Sequence, residues 1–412
     1  MALQPDVDPS HLGFDPLRLR RIDTHFGRYV DDGRLPGWQV AVGRRGRVAH
    51  VCTYGYRDRA TGAPVEDDTL FRIYSMTKPI TAVAALILYE EGAFDLTDPV
   101  SRFLPEFATP RVYLGGPPEK PVTRPASELI RIWHLFTHTA GLTYGSSRTH
   151  PVDALYREAG FEIYPPADLD LAGCCATWAG FPLLFDPGTA WNYSVATDVL
   201  GRLVEVISGT SLDSFIDQRI CGPLDMADTG FAVPPSQQHR LARLYRPDAG
   251  SGLAVPDDVM GERALRGDAC PSGGAGLIST LSDYWRFNEL LLGRGAVDGV
   301  RLLGSRTVDY MARNHLPGGA DIATLGGGCV VGSRYAGVGH GLGLGLAVLV
   351  DPVAYRTTGS VGELAWGGAA STAFWVDPVE GISVVFLTQL LPSGTHPLRT
   401  ELRQLVYSAL VD

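Results

Sequence analysis

Apolar and polar positions along this 412-residue chain change their period twice, and the changes divide it into three stretches. Residues 16–31 (PLRLRRIDTHFGRYVD) place apolar side chains at helical spacing, which predicts an N-terminal amphipathic helix. WQVAVG (38–43) and RVAHVCTYG (47–55) read as two strands joined by a short RRG turn. FRIYSMTK then leads into PITAVAALILYEEG, where apolar residues 80, 83, 84, 87 and 88 form one helix face. Pro79 falls in its first turn and Gly92 closes it.

From about 95 to 260 the texture becomes helical, with long loops and many prolines. WNYSVATDVLGRLVEVISG carries the clearest stripe (Val199, Leu200, Leu203, Val204, Ile207) and stops at Gly209. Strand signals return from about 270: GLGLAVLV (343–350), STAFWV (371–376) and ISVVFLT (382–388), the last two joined by DPVEG as an antiparallel hairpin. Residues 397–410 predict a closing helix with Leu398, Leu402, Leu405 and Val406 on one face. The expected fold is α/β (α+β): an antiparallel sheet built from both chain ends and flanked by helices, plus an inserted mainly helical domain. The expected boundaries are 1–95 and 265–412 for the sheet domain and 96–264 for the helical one. A ligand site is expected in the crevice between them.

Composition narrows the partners. A formal net charge of −10 excludes the basic footprint that nucleic acid or an anionic membrane requires. The first residues lack a basic start followed by an apolar run, and no stretch has the roughly 18 apolar residues of a spanning helix. Cys52, Cys174, Cys175, Cys221, Cys270 and Cys329 are scattered without a C-x-x-C pair. A reduced, cytoplasmic protein with no cofactor is expected.

Of the 35 Lys and Arg residues only Lys78 and Lys120 are lysine. Arginine stays protonated, whereas a lysine amine can serve as a base. Lys120, in GGPPEKPVT, reads as a solvated loop charge. Lys78 closes Ser75-Met76-Thr77-Lys78, the only S-x-x-K of the chain. Three residues apart at the head of a helix, hydroxyl and amine share a face. A serine hydroxyl is a weak nucleophile until a base takes its proton, and a helix N-terminus favours developing negative charge.

Ser75–Lys78 before a buried helix resembles the active-site motif of serine β-lactamases and penicillin-binding proteins. LFTHTAGL (135–142) is similar to the LLTHTSGL run of that superfamily. DPGTAWNYSVATDVLGRLVE (186–205) resembles the segment with its second, tyrosine motif. GGAGLISTLSDYWRF (273–287) resembles the return into the sheet domain, and WGGAASTAFWVDP (366–378) the third, strand-borne motif. The resemblance spans about residues 30–390. It implies Ser75 as acylated nucleophile, Lys78 as its base and Tyr193 as partner in the proton relay, passing a proton to the leaving group. It also implies an oxyanion hole from the backbone N–H groups of Ser75 and Ala369.

Two departures narrow the subfamily. Val195 stands where many class C-type β-lactamases have an asparagine, and neither lysine begins the Lys-Thr-Gly of lactam-recognising members. Trp366-Gly367-Gly368 stands there instead, with Trp366 as an apolar wall offering no cation. Trp-Gly-Gly with Tyr-Ser-x is similar to family VIII carboxylesterases and related statin acyltransferases. The reading is therefore a carboxylesterase acting on short or medium acyl esters, with Trp366, Gly367, Gly368 and Tyr144 lining the substrate site. Alternatives are an acyltransferase, a weak β-lactamase, a D-amino-acid peptidase or a non-catalytic member.

Other motifs carry less. No G-x-S-x-G elbow occurs. His134 and His138 have zinc-pair spacing without the adjacent glutamate, and read as packing or hydrogen-bonding residues. GVGHGLGLGLAV (337–348) precedes a strand, so it is no phosphate loop.

Overall fold

The computed structural model describes residues 3–162, 165–265, 270–326 and 337–412. Cys329 lies outside them.

An eight-stranded antiparallel sheet is assembled from both ends of the chain. The N-terminal part supplies β1 (Gly37–Arg44), β2 (Arg47–Asp58) and β3 (Ala63–Pro64). The C-terminal part supplies β4 (His340–Leu342), β5 (Ala347–Leu349), β6 (Leu364–Gly367), β7 (Ala373–Asp377) and β8 (Ile382–Thr388). Their spatial order is 4-5-6-7-8-1-2-3, so the ends of the chain join where β8 pairs with β1, Val40 opposite Phe386.

Both faces of the sheet are covered, which explains why its central strands read as unbroken apolar runs rather than alternating ones. Val40, Val42, Trp375, Val384 and Phe386 pack with helix α1 (Arg21–Asp31) and the closing helix. Ala41, Phe374, Val376, Val385 and Leu387 face the other core, with helix α2 (Thr77–Glu90) and the helices that follow. In that larger core sit α3 (Ala196–Ser208) and α4 (Leu281–Leu292). The closing helix, α5 (Leu398–Ser408), presents Leu398, Leu402 and Val406 inward as its pattern predicts.

The mixed architecture expected from the sequence is the one observed, with three local differences. The N-terminal helix is broken at Arg20 into Pro16–Leu19 and α1. The run 343–350 is not one strand: Gly343 N–H bonds the Leu346 carbonyl and Gly345 adopts φ +93°, so the chain turns back and β4 pairs with β5. The helical stretch also contains a hairpin, Arg111–Gly115 with Val122–Pro125, which its prolines and glycines disguise as loop.

Candidate active site

From Thr69 to Leu88 every residue is buried except Ser75. Ser75 sits in a single 3₁₀ turn, Tyr74–Met76, that feeds α2. Neighbouring segments hold that turn from several sides. Ile73 N–H donates to the Leu277 carbonyl (3.1 Å), Leu277 N–H to Thr77 Oγ1 (3.1 Å), and the Tyr284 hydroxyl to the Met76 carbonyl (2.9 Å). Tyr74 is forced to φ +47°, a left-handed conformation costly for a residue with a side chain. The surrounding bonds over-determine the turn, and the one side chain it leaves accessible is the serine.

Lys78, one turn on, is 1% exposed. Its Nζ lies 3.4 Å from Ser75 Oγ and 2.8 Å from the Gly274 carbonyl oxygen. It also stands over two aromatic rings, 4.5 Å from the Tyr193 centroid and 5.6 Å from that of Tyr144.

Tyr193 precedes α3 on the segment that Asn192 ties to the Leu142 carbonyl (2.9 Å). Its ring is surrounded by aromatics: His138 at 4.8 Å, Tyr144 at 5.4 Å, Trp366 at 5.9 Å and Trp191 at 6.3 Å. Its phenol oxygen is buried with no hydrogen-bond partner among the described residues. The structure thus brings Tyr193 to Lys78 through ring and cation, without a bond from its oxygen to Ser75 or Lys78. Burial pushes the Tyr144 phenol well above its ordinary range, so it stays neutral.

Trp366 is the penultimate residue of β6, and the turn 368–372 returns the chain into β7. Gly368 abuts the nucleophile segment, and the Thr372 hydroxyl donates to the Ile73 carbonyl at 3.5 Å. Ala369 shares a cluster with Tyr74, beside Ser75. Among the described residues no acceptor takes the backbone N–H of Ser75 or of Ala369.

Val195 precedes α3 at its N-cap and is buried in the core. The Trp-Gly-Gly segment is met by a cation from elsewhere in the chain. Its residues hold none, yet Arg399 of α5 reaches it, donating from Nη2 to the carbonyls of Gly368 (2.8 Å) and Thr372 (2.7 Å). Gly367 leaves it room, since a Cβ there would sit 2.4 Å from that nitrogen. Nothing in local sequence pairs residue 399 with 367, so only the fold reveals it.

His134 accepts the Arg131 N–H at Nδ1 (3.0 Å), a helix cap, and burial lowers its pKa to about 4. His138 contacts Tyr193, and burial first, then the charge of Lys78, holds it neutral. Both are the packing and hydrogen-bonding residues expected, although the place of His138 against Tyr193 was not foreseen. Among the described residues no cluster of His, Cys, Asp or Glu could hold a metal ion.

With the geometry in place, the relatives are informative. The β-lactamase family model matches residues 22–408. Protein Rv1367c of Mycobacterium tuberculosis is 38% identical, covering 88% of each chain. Esterase EstB of Burkholderia gladioli is 33% identical, covering 98% of each. Among solved structures, EstCE1, described as a hydrolase with promiscuous acyltransferase activity, is similar at a TM-score of 0.78. It is 29% identical, over 97% of this chain and 99% of its own. A match over nearly the whole length, with a serine and lysine poised at the head of a buried helix, leads to one assignment: this chain belongs to the β-lactamase family.

Proposed function

We propose that the protein is a serine carboxylesterase that cleaves small acyl esters through an acyl-enzyme on Ser75. The observation that carries this reading is the Lys78 amine, buried, 3.4 Å from Ser75 Oγ and held by the Gly274 carbonyl. The esterase relatives named above agree with it. Lys78 takes the proton from Ser75 as Oγ attacks the ester carbonyl. The oxyanion is received by the N–H groups of Ser75 and Ala369, each such donor worth about 10²–10³ in rate. Tyr193 hands a proton to the departing alcohol, and water then releases the acid. Trp366, Gly367, Gly368 and Tyr144 line the acyl site, and the aromatic surroundings favour neutral, apolar acyl groups.

The site lies, in this reading, in a crevice between a sheet domain (1–95 and 265–412) and a helical domain (96–264). Among the described residues no helix is long and apolar enough to cross a membrane. The thiols of Cys52, Cys174, Cys175 and Cys221 support a reducing, cytoplasmic location. Acyl transfer to an alcohol is a second reading of the same acyl-enzyme, favoured by the similarity to EstCE1.

The test compares wild type with Ser75→Ala on p-nitrophenyl butyrate and a chromogenic cephalosporin, with and without added alcohol. Serine-dependent ester cleavage with little lactam turnover is expected. Fast lactam hydrolysis would overturn the ester preference, and product partition toward a new ester would identify a transferase.

A further inference from the structure

One buried carboxylate beside the site has no part in this chemistry. Asp198, in the first turn of α3, is 3% exposed. An acid that merely capped its own helix would bond N–H groups of that first turn. Oδ1 of Asp198 instead accepts from residues 74 and 76 positions away: Ser272 Oγ at 2.5 Å and Gly274 N–H at 3.0 Å.

From there the bonds run on without a gap. Ser272 Oγ accepts the N–H of Ala275 (3.2 Å), and the carbonyl of that same peptide unit, on Gly274, accepts from Lys78 Nζ (2.8 Å). Lysine N–H to peptide carbonyl, peptide N–H to serine oxygen and serine O–H to carboxylate all point one way, so each bond polarises the next. The turn is shaped for this chain of bonds. A Cβ on Gly274 would fall 2.5 Å from Asp198 Oδ2, and one on Gly273 would fall 2.9 Å from the Thr197 carbonyl. Thr81, one turn beyond Lys78 on α2, donates to the Gly273 carbonyl at 2.8 Å and fastens the turn to the nucleophile's helix.

We propose that Asp198 and Ser272 are positioning residues: they anchor a hydrogen-bond relay that aims the Lys78 amine at Ser75. The proposal rests on the reading of Lys78 as the base. No proton leaves the site along the relay. Lys78 gains the Ser75 proton and returns it by way of Tyr193 to the departing alcohol, while the peptide carbonyl holds Nζ in place in both states.

The experiment uses Asp198→Asn, Ser272→Ala, their combination and Ser272→Thr. Val199→Ala serves as a control, a core truncation one residue away that touches no relay atom. Each is measured for thermal stability and for kcat, KM and the pH profile of kcat/KM on p-nitrophenyl butyrate. Breaking the relay is expected to lower kcat about 10–100-fold with KM within about threefold, as misdirected proton transfer does. Ser272→Thr, which keeps the hydroxyl, restores most of it. The double variant is no slower than the slower single one, because both cut the same chain. Val199→Ala is expected to lose stability with kcat and the shape of the pH profile unchanged. Wild-type kcat in both single variants, additive losses in the double, or losses of kcat that follow stability alone would overturn the relay. Ser75→Ala is run alongside: if it retains esterase activity, the assignment of the site itself fails. If it is inactive while the relay variants are unimpaired, only the relay fails.

Discussion

Gly368 and Ile73 meet so closely that a Cβ on the glycine would lie 2.3 Å from the Ile73 carbonyl oxygen. The approach sets the strand-borne segment with Ala369 directly against the turn with Ser75. Gly368→Ala must push the two apart by a substantial fraction of an ångström. We expect kcat on p-nitrophenyl butyrate to fall about 10²-fold or more, the cost of a misplacement of that size. Unchanged kinetics in a folded Gly368→Ala protein would refute the assigned contact.

Lys78→Arg keeps a positive charge but cannot act as a base. Loss of about 10³-fold or more in kcat is expected, with a thermal midpoint close to wild type. Initial rates and a melting curve check this together, and an active Lys78→Arg enzyme would remove Lys78 from the mechanism.

Tyr193→Phe separates activity from stability. Among the described residues the buried phenol oxygen has no hydrogen-bond partner, so its removal leaves stability unchanged or raised. Catalysis should drop about 10²–10⁴-fold if that oxygen delivers the proton. Parallel melting and steady-state rates decide the matter.

Trp366 stands 5.9 Å from Tyr193, centroid to centroid, and is nearly buried. Truncation to alanine opens space at the acyl site. The ratio of kcat/KM for p-nitrophenyl octanoate over butyrate should rise by about tenfold or more, on the scale of one or two methylenes of pocket contact. An unchanged ratio would mean that Trp366 is a core residue only.

Stability should fall on both sides of a mildly acidic optimum. Burial pushes the Glu289 carboxyl up to about 7, so the folded state keeps a proton that the unfolded chain releases from its ordinary value of 4.5. Its contribution is present below pH 4.5 and is lost as pH rises through 7. Glu289→Gln should therefore be stabilising by about 1–3 kcal/mol at pH 8 and near neutral at pH 4. Burial holds His134 at about 4 and His340 at about 3, both neutral when folded. Their contribution is present above pH 6.5 and lost as pH falls toward 4. Urea titrations at pH 4, 6 and 8 measure both slopes.

The sequence by itself determined the elements and the chemistry that depends on local spacing. Ser75, in the 3₁₀ turn, and Lys78, in the first turn of α2, lie three residues apart, so their contact follows from local spacing. Short β-rich runs such as ISVVFLT announced strands, and β8 spans that run. The Gly343–Leu346 turn was missed because apolar residues and glycines alternate through it as they would in a strand. Tertiary structure alone decided what meets Lys78 and Tyr193 from afar. Asp198 reaches Ser272 across 74 residues and Arg399 reaches Gly368 across 31, and His138 rests on Tyr193. Such pairings leave no periodic trace, because they satisfy hydrogen bonds and packing volumes that exist only after the sheet has closed and buried them.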